Sequence, residues 1–381
     1  MLPLVRALDD RKRLLQQSIT VTFAPDKPHA LEAKRLAPWT VALHEHADWL
    51  QFDAADDGDS RFTVREANIA NALARSPAAS APTVHASIIS PRSDGKVLRA
   101  HASAFARAGF ELNVTDASRM IARAIADGEE VASIPVHYAE PRLFYTNGSG
   151  AVAELSLLSS GVSDFHGSPS GRIRNIEKAL NERVTNIIVP AYTDFSFNDA
   201  LGDIDLNDGW KEGLAIFGGG TLAPVPGGGI CQAATTLYRA AMLAGFPIIK
   251  RKSHSLYVAY YEKYGVGIDA TVFPGRQDLV FRNDTGHDLV IQSSTEGTMA
   301  YTNIYGVPDG RDVNLEGPYF SSTAPKTVLV DGKRPLARNE IAWMRTTTRG
   351  QHASSDLLVS RYKAIPKRLP AEYPNAAAYD L

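Results

Sequence analysis

Three consecutive glycines lead straight into the only cysteine of the chain, in the run Pro226-Gly227-Gly228-Gly229-Ile230-Cys231-Gln232. Apolar residues then recur at Ile230, Ala233, Ala234, Leu237, Tyr238 and Ala241, the three-and-four spacing of one helix face. Gly245 and Pro247 supply a stop. The thiol is therefore predicted at or just before a helix N-terminus, reached through a bend free of side chains. Unpaired backbone N–H groups and the positive end of the helix dipole gather at such a place. Both favour the thiolate, which is the nucleophilic form. The same N–H groups suit a developing oxyanion, with Gly229 and Gln232 as the candidates. The plainer alternative is a packed cysteine behind an ordinary glycine turn.

A length of 381 residues suggests two or three domains. With 44% hydrophobic and 22% charged residues the chain is of ordinary globular composition. Its net charge of −2 gives no global field to draw in nucleic acid or an anionic membrane. The short basic run Lys250-Arg251-Lys252 reads as a solvated loop. A single cysteine excludes an intramolecular disulfide and a cysteine-rich zinc site. No apolar run is long enough to span a membrane. The opening residues, MLPLVRALDDRKRLLQQ, do not read as a signal peptide, which leaves an internal protein or a missing leader.

The fold class expected is α+β: an N-terminal α+β module, then a mixed α+β domain with a β-rich C-terminal part. Residues 1–17 read as a charged helix or tether, and 18–145 as the first module. Within it, Ile19, Val21 and Phe23 alternate as a strand, with further runs at Thr40–Leu43 and Trp49–Phe52. Helices are expected over Thr63–Ala74 and after a cap at Asp116, ending at Gly128. Asp94-Gly95 marks a hairpin turn, and Thr146–Gly150 a domain boundary. His44 and His46 would share one face of a strand but lack a third ligand, so neither a metal nor a cofactor is expected.

The second domain, 151–310, begins with a strand at Leu155–Leu158 and a helix over Arg172–Arg183. Ile187–Val189 is a buried strand, running on to Phe195-Ser196-Phe197-Asn198. The triplets Gly218–Gly220 and Gly227–Gly229 bracket a loop with two prolines. Strand candidates after the cysteine helix are Leu256–Val258, Asp269–Val272, Leu279–Phe281 and Leu289–Ile291. A β-rich extension, 311–381, adds Thr327–Val330 and Leu357–Val359 before a proline-marked end.

Several blocks occur in one order: Ser170-Gly171-Arg172-Ile173-Arg174-Asn175-Ile176, Phe195-Ser196-Phe197-Asn198, Gly228-Gly229-Ile230-Cys231-Gln232 with Thr235-Thr236-Leu237-Tyr238, Ser253-His254-Ser255-Leu256, and Asp269-Ala270-Thr271-Val272. Through them the segment from Leu155 to Gly306 resembles the VanW family of bacterial cell-wall proteins. The preceding module, through Gly109-Phe110-Glu111-Leu112 and the helix at Asp116, resembles the YoaR-like peptidoglycan-binding domain that often precedes VanW. The resemblance implies an extracytoplasmic protein whose partner is peptidoglycan or its stem peptides. Some VanW domains are held to be L,D-transpeptidases that use this cysteine.

Acyl transfer by a thiol needs a base and benefits from a group that orients it. His254 follows the cysteine helix where the chain can double back, and Asp269 lies a little further on. A Cys231–His254–Asp269 triad is topologically reasonable, with Glu262 and Asp278 as rivals for the third place. Ser253 and Ser255 would add hydrogen bonds nearby. Arg172 and Asn175 share a helix face, where either could take a stem-peptide carboxylate. Tyr238 and Tyr257 read as core or pocket wall. The competing readings are a wall-binding module without chemistry and a papain-like peptidase.

Overall fold

The computed structural model describes residues 2–26, 36–54, 61–75, 86–94, 96–106, 109–146, 152–217 and 221–366. The fold is α+β, and the chain divides into two compact units, Met1–His85 with Arg107–Pro141 and Ala86–Ala106 with Arg142–Leu381.

The first unit is a four-stranded sheet in the order Trp39–Ala42, Ser18–Pro25, Val131–Ala139, Gly109–Glu111, with a parallel central pair. Val131–Ala139 alternates exposed and buried positions, as a sheet with one covered face requires. Helices Leu2–Leu15, Glu66–Leu73 and Val114–Asp127 accompany it, and Ile19, Val21, Leu43, Trp49, Ile69 and Ile121 form the core. Three details differ from the sequence reading. Arg61–Val64 is a strand paired with Leu50–Asp53, because Phe62 alternates opposite Phe52, so the helix starts later. Asn113, not Asp116, caps the third helix, its side chain accepting the Asp116 N–H at 3.1 Å. His44 and His46 lie in the 3-10 segment Leu43–Trp49 rather than on a strand.

The second unit is built on a closed seven-stranded barrel, in the order Val152–Asp164, Met299–Gly306, Leu289–Glu296, Ile187–Val189, Val97–Ala102, Ala86–Asp94, Arg142–Thr146. The hairpin 86–102, read in the sequence as part of the first module, completes this barrel by pairing Leu98 and Arg99 with Ile188 and Ile187. Gly95 of its turn and the expected boundary at 147–150 lie outside the described residues.

The helix Cys231–Leu243 packs on the first barrel strand. Contact is close enough that a Cβ on Gly161 would sit 2.0 Å from the Thr236 carbonyl oxygen. Ser163 Oγ and Thr236 Oγ1 are 2.7 Å apart, and Ser159 Oγ donates to Ala240 O at 2.8 Å. The helix is buried on all sides, including Thr235, Thr236 and Arg239. Arg239 donates to the carbonyls of Val162, Tyr261 and Ile268, tying the helix to the segment that precedes Asp269. The C-terminal sheet, Arg311–Phe320, Glu340–Arg349 and His352–Arg361, docks on the far end of the helix, where Arg345 donates to Met242 O and Phe246 O.

Further departures from the sequence reading have physical causes. Thr221–Pro226 is a strand paired with Glu212–Phe217, not a loop. Gly227 N–H donates to Lys211 O at 2.9 Å, which sets Pro226 and Pro224 at alternate positions where no ladder N–H is needed. Ser196 caps a short helix, Phe197–Leu201, so the strand stops there. The helix over Arg172–Arg183 is Ser170–Lys178 followed by a π turn. Thr327–Val330 contributes only an isolated bridge, and Leu256–Val258 none. Residues 367–381 lie outside the described residues.

Candidate functional site

The glycine bend is shaped by close approach. A Cβ on Gly228 would lie 2.1 Å from the Gly213 carbonyl, and Gly229, at φ 111°, passes so near Arg172 that a Cβ there would meet its Cγ at 2.6 Å. Ile230 N–H donates to Gly227 O and Gln232 N–H to Gly229 O, tightening the entry to the helix. The N–H groups of Gly229 and Cys231 find no acceptor among the described residues. They are the donors open to an oxyanion. Gln232 is not: its N–H is taken, and its buried amide donates to Ser163 Oγ at 2.9 Å and Asp164 O at 3.1 Å.

Cys231 is half-buried, with Sγ 3.5 Å from the Val272 N–H and 3.5 Å from Thr271 Oγ1. Its side chain lines one groove with that of His254, near enough for each to shift the other's pKa. His254 Nδ1 lies 2.5 Å from Asp269 Oδ2, which leaves Nε2 for the sulfur. The same Oδ2 accepts the His254 N–H at 2.9 Å, so backbone and ring are held by one oxygen. Asp269 is 2% exposed.

Asp269–Val272 was expected as a strand. It joins no sheet. Its bonds go instead to the site: Thr271 N–H to Lys252 O, Ala270 N–H to Thr235 Oγ1, and Val272 N–H to the sulfur.

Electrostatics follow from these contacts. Burial alone pushes the Cys231 thiol up, but the bond and charge of His254, then the Val272 N–H and the Thr271 hydroxyl, outweigh it and bring it below its ordinary value. Burial works against charge on His254, yet its bonds to Asp269 and Cys231 push its pKa up to about 10. Burial likewise opposes the Asp269 carboxylate, and His254, Arg251 and Tyr362 together hold it well below the usual range. The contacts of all three groups thus act in the direction of their charged forms, thiolate, imidazolium and carboxylate.

A groove of about 850 Å³ opens over Cys231 and His254. Its walls include Leu214 and Ile216 of the two-stranded hairpin, Tyr260, Phe273 and Arg172. Arg172 lies 4.5 Å over the Tyr260 ring and donates to Ser168 Oγ and, at 2.6 Å, to Gln232 Oε1. No carboxylate pairs with it among the described residues.

Other expected residues stand elsewhere. Asn175 is fully buried and reaches no substrate space; it donates to Lys211 O and Gly228 O and accepts from Lys211 N–H. Ser253 Oγ exchanges hydrogen bonds with the Arg361 backbone, and Ser255 O accepts from Lys363 N–H. Asp278 caps the Phe197–Leu201 helix through Asn198 N–H and bonds Ser196, away from His254. Glu262 belongs to the 3-10 segment Ala259–Tyr264. Tyr238 is core, and Tyr257 packs edge-on against Tyr362.

Arg251, read as part of a solvated run, is buried: it donates to Asp269 O at 2.7 Å, Val359 O at 2.9 Å and Ser360 Oγ at 2.5 Å. Lys250 and Lys252 on either side face water, an alternation that the sequence contained. Thr271, Arg251 and Tyr362 were not anticipated at the site.

Residues 171–305 match the family described as "VanW like protein". That segment, and not the whole chain, is what is similar to VanW. Its VanW segment contains Cys231, His254 and Asp269. The chain is also 33% identical over 144 residues to the "Uncharacterized protein YoaR" of Bacillus subtilis (strain 168), covering 38% of this chain and 46% of that one. It thus spans about half the length of that relative. No solved structure matches the chain. The VanW family is generally associated with the cell wall. Among the described residues no helix is long and apolar enough to cross a membrane, and no group of three or more His, Cys, Asp or Glu side chains is placed to hold a metal.

Proposed function

We propose that this protein is an extracytoplasmic cysteine acyl transferase of the L,D-transpeptidase type, acting on peptidoglycan stem peptides. The observation that carries the reading is His254, bonded to the Asp269 carboxylate and lining one groove with the Cys231 thiol. The likeness of residues 171–305 to VanW supports the wall as the place of action.

In this mechanism the Cys231 thiolate attacks a peptide carbonyl carbon, and the carbonyl electron pair moves to oxygen. The Gly229 and Cys231 N–H groups receive that oxyanion. As the tetrahedral adduct collapses, the C–N bond breaks and His254 gives its Nε2 proton to the departing amine, leaving a thioester. An amine of a second stem peptide then attacks the thioester and passes its proton to His254. The thiolate departs and a new amide remains. Asp269 holds the imidazole ring in place throughout. Arg172, its guanidinium steadied on Tyr260, receives a carboxylate of the stem peptide. The first unit serves as a peptidoglycan-binding module that keeps the enzyme on its polymer.

A peptide electrophile tests the reading. It should label Cys231 in the wild type and leave Cys231→Ala unlabelled, and purified sacculi should gain cross-links with the wild type alone. Cross-links lost instead of gained would make the protein a papain-like peptidase. Full activity in Cys231→Ala would leave a wall-binding protein only.

A further inference from the structure

The C-terminal sheet lies outside residues 171–305, yet its end reaches the centre of the site. Tyr362 Oη donates to Asp269 Oδ1 at 2.5 Å, and the residue is 3% exposed. Several contacts deliver it there. Arg361 N–H and O both bond Ser253 Oγ, and Lys363 N–H donates to Ser255 O. Residues 359–363 therefore run beside 251–255, with His254 in the middle. On the other side Tyr362 N–H donates to Asn339 O, and Asn339 Nδ2 donates back to Tyr362 O at 2.7 Å. The phenol is fixed before any substrate arrives.

The four contacts of Asp269 divide cleanly. Oδ2 takes both bonds from His254, while Oδ1 takes Tyr362 and, at 3.4 Å, Arg251. A buried carboxylate with one oxygen poorly served swings toward the remaining donor or takes up a proton. Either event loosens its hold on His254 Nδ1. We propose that Tyr362 is a positioning residue for the reaction, locking the Asp269 carboxylate onto His254, so that the C-terminal sheet is part of the reacting unit. The inference rests on the reading of Cys231 as nucleophile. It adds a residue that the VanW segment does not contain.

The test is the pH profile of Cys231 alkylation by iodoacetamide in the full chain. Wild type should show its inflection below the ordinary thiol value of about 8.5. Tyr362→Phe, which keeps the ring, should raise that inflection by about one unit and slow alkylation at pH 7 about tenfold. Tyr319→Phe removes a phenol of the same sheet that bonds Glu316 at 3.1 Å, and should match wild type. In an Asp269→Asn background the Tyr362→Phe change should produce no further shift, since it acts through Asp269. An unshifted profile in Tyr362→Phe, or an additive shift in the double variant, overturns the positioning role while leaving the nucleophile intact. A wild-type inflection at the ordinary value overturns both readings.

Discussion

His254 and Asp269 share two hydrogen bonds through one carboxylate oxygen, at 2.5 Å from Nδ1 and 2.9 Å from the backbone N–H. Fixing ring and backbone together leaves the imidazole one usable orientation, with Nε2 as the nitrogen that Asp269 does not engage. Such an arrangement costs the desolvation of three ionisable groups and is kept where the charges are needed.

The first prediction concerns pH and stability. His254 has a folded pKa raised to about 10, so its contribution is fully present below the unfolded value of about 6.5 and is lost as pH rises through about 10. Asp269 is lowered, so its contribution is present above about 3.9 and is lost as pH falls through its folded value. Denaturant midpoints should therefore separate wild type from His254→Gln most at pH 5–6 and least near pH 10. A constant gap across that range would contradict the ion pair.

Arg172 gives a prediction about substrate. Its guanidinium lies in the groove over Tyr260 and bonds Gln232 Oε1 and Ser168 Oγ. Arg172→Lys keeps the charge but loses the planar fork. KM for a peptide with a free carboxylate should rise about tenfold, while its amidated analogue should change little, because only the first uses the two-pronged contact. Equal effects on both peptides would reassign Arg172 to packing the glycine bend.

How much of this could be read from the residues differs from place to place. The cysteine helix was legible because its partners are its own neighbours, three and four apart: Ala233, Ala234, Leu237 and Tyr238 are all buried. Asp269–Val272 was misread because a short run ending in the β-branched pair Thr271-Val272 looks the same whether its N–H groups meet a neighbouring strand or Lys252, Thr235 and a sulfur. The hairpin 86–102 carries no mark of the barrel it closes, since strand periodicity names a face but not a partner. Tyr362 was beyond reach: it meets Asp269 only through a long-range docking of the C-terminal sheet.

Gly161 tests the seating of the cysteine helix. With a Cβ at 2.0 Å from Thr236 O and 2.6 Å from Ala240 N, Gly161→Ala must push the helix off the barrel strand. Overpacking against backbone should cost about 3 kcal/mol by chemical denaturation. Gly297→Ala meets no atom within 4 Å and carries only the strain of φ 57°, about 1 kcal/mol. Similar losses in the two variants would show that the helix can shift freely.

Asn175 carries the last prediction. Its buried amide bonds Lys211 O at 2.8 Å, Gly228 O at 2.9 Å and, as acceptor, Lys211 N–H at 2.8 Å. One side chain thus joins the root of the groove hairpin to the bend that presents Cys231. Asn175→Ala leaves those backbone groups without their partner, for a loss of about 2–3 kcal/mol. Asn175→Asp keeps the shape and the acceptor but lacks both N–H donors, so it should be at least as unstable. Because Gly228 immediately precedes the oxyanion donors, both variants should also slow acylation of Cys231 about tenfold more than they slow its alkylation by a small haloacetamide, which needs no oxyanion site. Equal slowing of the two reactions would mean that Asn175 governs access to the thiol and not the geometry of the bend.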